Sequence, residues 1–445
     1  TTLQGGTGEE RYQFFVLSKI ENQKNLYLLL SEYPVLGRLI SETSNFLYES
    51  IFDAFNNWIE DRIEIVQTFS IDNQQIAKLE IMGDTHNSGK AVMKFEFNDG
   101  KAIMYKPHSL SVDIHFQQFL NWINKRLQDT SLGVIKVLDY DDHGWTEYIH
   151  SNPCTSFEGV KRFYERQGKY LAILYLLNAT DFHHENIIAS GEYPYLIDLE
   201  SLFHCPLTQS DASSTATKKA WDLINSSVMS TTLLPIRVNN PRFSDTNFGG
   251  LGNNEGIVTT NVIEKSHTDQ MHMKKQTFFI KSSTAHQPKF NGQVFDYTDY
   301  IDDIIKGFKD VYNLFIEEKE ELLSQQGPIY NFYSDKIRVI LRPTYYYGRV
   351  LEAGRHPKYL TNGIDRGQLL DILWKGNEDK SCLYKAVYSE CRDLLQEDIP
   401  YFYTTTSSRD IYDQRGRKFN DFFNEAPFEK VIDKIKGLSL KDLIT

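Results

Sequence analysis

The residues best suited to chemistry lie in a short polar stretch that follows a long apolar segment. Asp181, His183 and Asn186 belong to the phrase DFHHENII, and Asp198 lies in the apolar phrase YLIDL. Phosphoryl transfer needs one group to accept the proton of the attacking hydroxyl and others to hold Mg²⁺ on the nucleotide phosphates. Asp181 suits the first task, while Asn186 and Asp198 carry the hard oxygen ligands that Mg²⁺ prefers. Each residue alone is typical of a helix end or a turn, but the four together with a lysine upstream favour a catalytic site.

A lysine upstream adds to this pattern. Lys106 ends the β-like phrase AIMYKP, from which its ammonium group can reach a nucleotide phosphate as a point charge. The loop GDTHNSGK at 83–90 contains glycines but matches neither GxGxxG nor GxxxxGK[ST], so it is a weak nucleotide signal. Asp84 and His86 in that loop are candidates for acid–base chemistry, since histidine titrates near neutral pH. A solvated lysine and ordinary turn residues are the alternatives.

A second constellation lies in the phrase IRVILRPTYYY. Arg338, Arg342 and Thr344 are an even number of residues apart, so they share one face if the run is a regular strand, although Pro343 disfavours that regularity. Two guanidinium groups and a hydroxyl form a good phosphate cradle. A pair of structural salt bridges explains the same spacing equally well.

The composition bounds the class of protein. The 445 residues are 40% apolar and 24% charged, as in a globular chain of about three domains. No apolar run approaches the roughly 20 residues of a membrane helix, so no membrane span is predicted. The net charge of −12 argues against non-specific nucleic-acid binding. The four cysteines lack CxxC spacing, which predicts neither a disulfide framework nor a structural zinc site and favours a reducing cytoplasm.

The apolar spacing changes twice along the chain. Residues 1–70 are predicted to form a helical N-terminal segment, because apolar residues recur three and four apart. Residues 71–150 are predicted to form a β-rich nucleotide-binding lobe. It contains a three-stranded antiparallel meander with glycine-containing turns, a helix from about Ser111 to Gln128 and two further strands.

Residues 151–445 are predicted to form a helical catalytic lobe. It begins with a buried helix over Phe157–Leu177 and a strand over Tyr195–Leu199. Residues 206–287 are rich in Ser, Thr, Asn and Gly and predict an insertion of extended, partly mobile loops. The first residue is not Met, which we interpret as an internal piece of a longer polypeptide. The layout is that of a kinase-like fold with its nucleotide between a β-rich lobe and a helical lobe.

These phrases together resemble the dehydratase domain of class II lanthipeptide synthetases, the LanM type. The resemblance extends from about residue 33 to the C-terminus and rests on motifs in the same order. They are YPVLGRL at 33–39, GDTHNSGK at 83–90, YKPHSL at 105–110, DFHHENII at 181–188, PYLIDLESLF at 194–203, SVMSTTLLP at 227–235 and RVILRPTYYY at 338–347.

The resemblance implies an α+β, lipid-kinase-like fold of two lobes, an antiparallel β-rich lobe and a helical lobe, with extra helical elaborations. It implies phosphorylation of Ser and Thr in a ribosomal precursor peptide, using ATP and Mg²⁺, followed by phosphate elimination to dehydroalanine or dehydrobutyrine. The implied partners are that peptide, with its leader and Ser/Thr-rich core, and a cyclase domain in the full-length protein, whose zinc is not expected in this stretch. The implied location is the bacterial cytoplasm, with association with a membrane export complex left open.

The resemblance also assigns roles by position. Asp181, His183, Asn186 and Asp198 match the phosphorylation motif, with Lys106 as the lysine that contacts phosphate. Arg338 and Thr344 match the pair associated with phosphate elimination. Asp84 and His86 match a further active-site pair, and the step they serve is left open.

Two other functions use the same residues. A simple kinase without elimination needs Lys106, Asp181, Asn186 and Asp198 but has no use for Arg338 with Thr344. A kinase-shaped, non-catalytic module for peptide binding needs none of the catalytic set. Product mass separates these hypotheses, because a kinase adds phosphate and a dehydratase removes water.

Overall fold

Helices and antiparallel sheets alternate along the chain. The computed structural model describes residues 3–127, 129–205, 215–239, 242–244, 246–253, 255–281, 283–375 and 382–444. The mixed α+β class agrees with the prediction, whereas the lipid-kinase-like arrangement and the division into domains stay predictions. Among the helices of the described residues, none has both the length and the apolar character needed to cross a bilayer.

The N-terminal part is helical over the residues where apolar spacing predicts helix. It comprises α1 (Gly8–Phe15), α2 (Gln23–Glu32) and α3 (Pro34–Phe69), with a π-helical turn at Val16–Ile20 between the first two. A capping box starts α1, since the Thr7 side chain accepts from the backbone of Glu10 and the Glu10 side chain returns to the backbone of Thr7. The 36-residue α3 ends at Phe69, because the next residue, Ser70, has a left-handed backbone with a φ of 55°.

A five-stranded antiparallel sheet follows, in the order β1-β2-β3-β5-β4. Its elements are β1 (Ile76–His86), β2 (Lys90–Phe97), β3 (Ala102–Lys106), helix α4 (Ser111–Asn124), β4 (Val137–Tyr140) and β5 (His143–Glu147). The predicted meander of the first three strands is confirmed. Alternate residues of β2, including Met93 and Phe95, are buried in the cluster that joins the sheet to α3. The predicted helix end, Gln128, lies outside the described residues.

The chain then enters a second apolar core. Helix α5 (Phe157–Leu176) is buried along most of its length and precedes the hairpin of β6 (Ile187–Ser190) and β7 (Tyr193–Leu196). The predicted strand over Tyr195–Leu199 is therefore wrong in its bounds, because the strand ends at Leu196. Asp198 lies beyond the hairpin, so its carboxyl group is not constrained by a strand pair.

The prediction of extended loops over 206–287 is wrong for much of its described part. This part contains α6 (Thr215–Ser226), β8 (Arg237–Val238), β9 (Phe243–Ser244), β10 (Thr246–Asn247), β11 (Glu255–Glu264) and β12 (His272–Lys281). The last two strands form a ten-pair hairpin, which their β-branched and aromatic residues favour despite the polar composition around them. Residues 206–214 lie outside the described residues, and the predicted mobility stays a prediction.

After the short pair β13 (Lys289–Phe290) and β14 (Gln293–Val294), α7 (Ile301–Glu317) crosses α5 at very short range. A Cβ atom on Gly168 would lie 1.9 Å from the carbonyl oxygen of Ile304, and one on Gly307 would lie 1.8 Å from that of Glu165. Only glycine fits at either position. This crossing fixes α5, which leads into the loop of Asp181.

Short elements complete the chain. They are α8 (Lys319–Leu323), β15 (Lys336–Arg338), α9 (Thr344–Gly354), α10 (Lys358–Thr361), α11 (Gly363–Leu369), α12 (Cys382–Leu395), β16 (Phe402–Thr405), β17 (Ile411–Asp413), β18 (Lys418–Phe419), α13 (Pro427–Gly437) and α14 (Leu440–Ile444). Strands β15 to β18 form a sheet in that order. The condition of one regular strand through Arg338, Arg342 and Thr344 is not met, since the strand ends at Arg338 and a helix begins at Thr344, directly after Pro343.

Candidate active site

Lys106 is held at the end of β3 by two oxygen acceptors. Its Nζ donates to the carbonyl oxygen of Ile197 at 2.8 Å and lies 3.4 Å from Oδ1 of Asp113 on α4. Lys106 is 7% exposed and Asp113 is 1% exposed. Burial opposes the charge on Lys106, but Asp113, Asp198 and Glu200 outweigh it and raise the pKa of the lysine. The lysine is therefore charged and aimed at the segment that carries Asp198.

The loop after α5 brings Asp181, His183 and Asn186 together. Asp181 has a left-handed backbone with a φ of 67°, and its carbonyl oxygen accepts from Nδ2 of Asn186 at 2.8 Å. Nδ1 of His183 accepts from the backbone N–H of Glu185 at 3.2 Å, so the ring proton is on Nε2, which lies 3.7 Å from Oδ1 of Asp181. Burial raises the pKa of Asp181, while His183 and Arg338 oppose that rise.

Asn186 and Asp198 offer oxygen atoms suited to a divalent cation. The amide of Asn186 is fixed through its nitrogen, which leaves its oxygen for a ligand. Oδ1 of Asp198 accepts a long 3.4 Å bond from the backbone N–H of Glu200. Burial and the negative charge of Glu200 raise the pKa of Asp198. A carboxylate and an amide oxygen fit Mg²⁺ by their chemistry.

Arg338 joins this segment through Glu200. Its side chain donates to Oε1 of Glu200 at 2.6 Å, and its backbone N–H donates to the carbonyl oxygen of Glu200 at 2.8 Å. The hydroxyl of Tyr401 donates to Oε2 of Glu200 at 3.4 Å. Burial alone would raise the pKa of Glu200, but the charges of Arg338 and His108 lower it. The carboxylate therefore holds the guanidinium group within the site.

His86 lies beside Tyr401 and Arg338. Its ring centroid is 5.6 Å from that of Tyr401, and its Nδ1 lies 3.0 Å from the carbonyl oxygen of Ile399. Because a carbonyl oxygen can only accept, the ring proton is on Nδ1 and Nε2 is free of it. Burial and the positive charge of Arg338 lower the pKa of His86 to about 4, so the ring is neutral near pH 7. Asp84 is exposed on β1 and acts on His86 through its charge.

The other two residues of the second constellation are not joined to Arg338. Nε of Arg342 donates to Oε1 of Glu390 at 2.7 Å, and Glu390 is fully buried. Arg342 thus fits the alternative of a structural salt bridge. Thr344 is half-buried at the start of α9. Within the described residues, no hydrogen bond, ion pair or ring contact links it to Arg338, so its role stays a prediction.

Sequence reasoning missed several contacting residues. Asp113 is a carboxylate on the apolar face of a predicted helix, which is a usable signal. Glu200 follows Asp198 by two residues and lies in the motif PYLIDLESLF at 194–203, yet no local sequence pattern indicates its pairing with Arg338. Tyr401 is 201 residues from Glu200, so only the tertiary structure identifies it.

Comparisons with known proteins bear on this arrangement. The DUF4135 family, described as "Domain of unknown function", matches residues 33–405. The chain is 29% identical to the lacticin 481/lactococcin biosynthesis protein LcnDR2 of Lactococcus lactis subsp. lactis, over 99% of this chain and 48% of that protein. The chain thus spans about half the length of the curated relative that it matches. The motifs that contribute the site residues, from 83 to 347, lie within the matched range.

Proposed function

Because this chain belongs to the DUF4135 family, the domain of the dehydratase region in LanM-type lanthipeptide synthetases, we propose that it dehydrates a precursor peptide in lantibiotic biosynthesis. It uses ATP to phosphorylate Ser and Thr side chains and then eliminates the phosphate. The products are dehydroalanine from Ser and dehydrobutyrine from Thr. Partners in this proposal are the precursor peptide and a cyclase domain, and the two lobes are arranged as in a lipid kinase.

The observation that carries the proposal is the double contact of Arg338 with Glu200. A side-chain bond of 2.6 Å and a backbone bond of 2.8 Å hold Arg338 on Glu200. Glu200 follows Asp198 by two positions in the sequence. Lys106 feels the charges of both Asp198 and Glu200. The residues assigned to phosphorylation and the arginine assigned to elimination therefore share one site, as two successive reactions on one side chain require.

In the first step, the hydroxyl oxygen of the substrate Ser or Thr attacks the γ-phosphorus of ATP, and Asp181 accepts the proton of that hydroxyl. The bond between the γ-phosphorus and the leaving oxygen of ADP breaks. His183, which bears its proton on Nε2, faces that carboxylate. Lys106 supplies positive charge to the phosphates, with Asp113 keeping it in place. Asn186 and Asp198 are the residues that would hold Mg²⁺, which when bound neutralises charge on the phosphates.

In the second step, Nε2 of His86 takes the proton from Cα of the phosphorylated residue. The electron pair of the C–H bond forms the Cα=Cβ double bond, and the Cβ–O bond breaks to release phosphate. Arg338 binds the departing phosphate in place of Glu200. A phosphate dianion on Arg338 offsets the positive charge that lowers the pKa of His86, so the ring becomes more basic when substrate is bound.

A kinase without elimination is the second candidate. The position of Thr344 favours it, because no hydrogen bond, ion pair or ring contact among the described residues joins Thr344 to Arg338, the other residue assigned to elimination. In that reading, the stable product is a phosphopeptide and Arg338 only anchors β15.

Mass spectrometry of the cognate precursor peptide, incubated with this chain, ATP and Mg²⁺, tests the proposal. Loss of one water per modified Ser or Thr is the expected result. Stable addition of phosphate would favour the kinase, and an unchanged peptide mass would contradict both enzymatic functions.

A further inference from the structure

The turn between β1 and β2 carries three successive residues in the left-handed conformation. Asn87, Ser88 and Gly89 have φ values of 50°, 64° and 80°. Successive backbone N–H groups in such turns converge and form a binding site for an anion. A Cβ atom on Gly89 would lie 2.5 Å from Cβ of Phe46 in α3, so glycine is required by packing as well as by φ.

The anion bound by this turn is the carboxylate of Asp398. The backbone N–H of Ser88 donates to Oδ2 of Asp398 at 2.7 Å. Burial raises the pKa of Asp398, and the hydrogen bonds from Ser88 and Gly89 oppose part of that rise. Gln414 adds a second contact, since its Oε1 accepts from the N–H of Asn87 at 2.7 Å. The loop is thus fastened to a segment more than 300 residues away.

The anchor is itself well fixed. Asp398 is 2% exposed, and its backbone N–H donates to the carbonyl oxygen of Asp393 at 3.1 Å, at the end of α12. Ile399 packs in the apolar cluster that includes Val350 and Leu370. A loop held by this segment therefore has a stable reference within the C-terminal half.

The attachment reaches His86 directly. The N–H of Ile399 donates to the carbonyl oxygen of Thr85 at 3.3 Å, while Nδ1 of His86 lies 3.0 Å from the carbonyl oxygen of Ile399. These two contacts lie next to the one that Asp398 makes with Ser88. Release of the turn would remove the bond that keeps the proton of His86 on Nδ1 and leaves Nε2 free.

We propose that Asp398 is a positioning residue for the elimination step, holding the 83–89 loop so that His86 faces Arg338 and Tyr401. This inference rests on the proposed function, in which His86 takes the Cα proton. Asp398 is buried and acts only through the loop that it holds. Its effect is confined to elimination, because Lys106, Asp181 and Asp198 are placed by other contacts.

The test compares Asp398→Ala with Asp398→Asn on the precursor peptide carrying one synthetic phosphoserine, and separately on the unphosphorylated peptide with ATP and Mg²⁺. Elimination by Asp398→Ala is expected to slow by at least about tenfold, since a shift of about 1 Å in a reacting group is costly. Phosphorylation is expected to stay within about twofold of the unaltered chain. Asp398→Asn keeps an acceptor for Ser88 and restores most of the elimination rate.

The matched control is Asp99→Ala. Asp99 also accepts backbone N–H groups of a turn, from Asp72 at 2.8 Å and Lys101 at 3.0 Å, but at the β2–β3 end of the sheet. This variant is expected to leave both rates unchanged. Elimination by Asp398→Ala at the unaltered rate, or loss of both steps in a folded variant, would overturn the inference.

Failure of the proposed function has a different signature. If the unaltered chain neither phosphorylates nor eliminates, the proposed function is wrong irrespective of Asp398. If Asp398→Ala does not fold, Gln414→Ala replaces it, because this change removes the contact with Asn87 and a 3.4 Å bond to Asp398. A several-fold slower elimination is then expected, and an unchanged rate would contradict the inference.

Discussion

Arg338 and Glu200 form an ion pair that connects two distant motifs of the sequence. The guanidinium NH1 lies 2.6 Å from Oε1 of Glu200, and the two side chains are 16% and 13% exposed. The same residues are joined through their backbones. Glu200 therefore holds the arginine near Asp198, and in the proposed function the departing phosphate takes the place of Glu200 as its partner.

The change Glu200→Gln is expected to destabilise the fold. It leaves the positive charge of Arg338 largely buried without its counter-charge, at a cost of about 2 kcal/mol in the free energy of unfolding. Denaturant unfolding measures this cost. The control is Glu158→Gln, whose partner Lys161 is exposed and 2.9 Å away, where a much smaller loss is expected because water screens the pair. Equal effects of the two changes would contradict a structural role for the buried pair.

Lys106 and Asp113 are expected to act in phosphorylation with unequal weight. Lys106→Met removes the charge from the phosphates and should lower the phosphorylation rate by about a hundredfold or more. Asp113→Asn keeps the lysine but weakens its placement, so we expect a smaller loss with a higher KM for ATP. The control is Lys94→Met, a sheet lysine paired with Glu96. If Lys94→Met and Lys106→Met reduced the rate equally, the assignment would fail.

Asp181→Asn is expected to stop phosphorylation while preserving the loop. Asparagine tolerates the left-handed backbone of this position, and the carbonyl oxygen that binds Asn186 remains. Loss of the proton acceptor lowers the rate by about a hundredfold to ten-thousandfold. Elimination from a synthetic phosphoserine peptide should persist, since His86 and Arg338 are intact. Persistent phosphorylation by this variant would sink the role given to Asp181.

Asp393 should make stability fall as pH rises from about 4 to about 6. Burial raises the pKa of Asp393 to about 6, with Asp398 and Asp413 adding to the rise and Arg392 opposing it. Its Oδ1 accepts from Arg392, whereas its buried Oδ2 has no partner among the described residues, so no donor there stabilises a negative charge.

The direction of this change in stability with pH follows from the raised pKa of Asp393. Between about pH 4 and 6 the native state keeps a proton that the unfolded chain releases, so this contribution is complete below pH 4 and lost through pH 6. Asp393→Asn removes this pH dependence and is expected to raise the free energy of unfolding at pH 7 by at most about 3 kcal/mol relative to the unaltered chain. Unfolding measured across pH checks this, and identical pH dependence in both chains would contradict it.

Local patterns predict the elements that support the site. Apolar spacing and the glycine-containing turns place the N-terminal helices and the first three strands, because those signals are short-range. The predicted bounds of the strand near Asp198 are wrong, since they depend on strand pairing. The doubt that Pro343 raises about a regular strand from Arg338 to Thr344 is confirmed. The polar composition of residues 206–287 also predicted loops where β11 and β12 form a hairpin. Packing between these strands outweighs the polar residues around them.

The partners of the site residues are harder to predict than the residues themselves. Asp113 lies seven residues from Lys106 and is accessible to a helical-face argument. Glu200, Tyr401 and Asp398 contact residues up to 310 positions away. A single sequence contains no local signal for such contacts, because they depend on how the two halves pack.

The most direct test of two steps in one site is the mass of the precursor peptide after incubation with the Arg338→Met chain, ATP and Mg²⁺. The control is Lys336→Met, an exposed cation two residues earlier on β15. We expect the Arg338 variant to accumulate phosphopeptide, while the control releases peptide lighter by one water per modified residue. Unmodified peptide from a folded Arg338 variant, or full dehydration by it, would contradict the account.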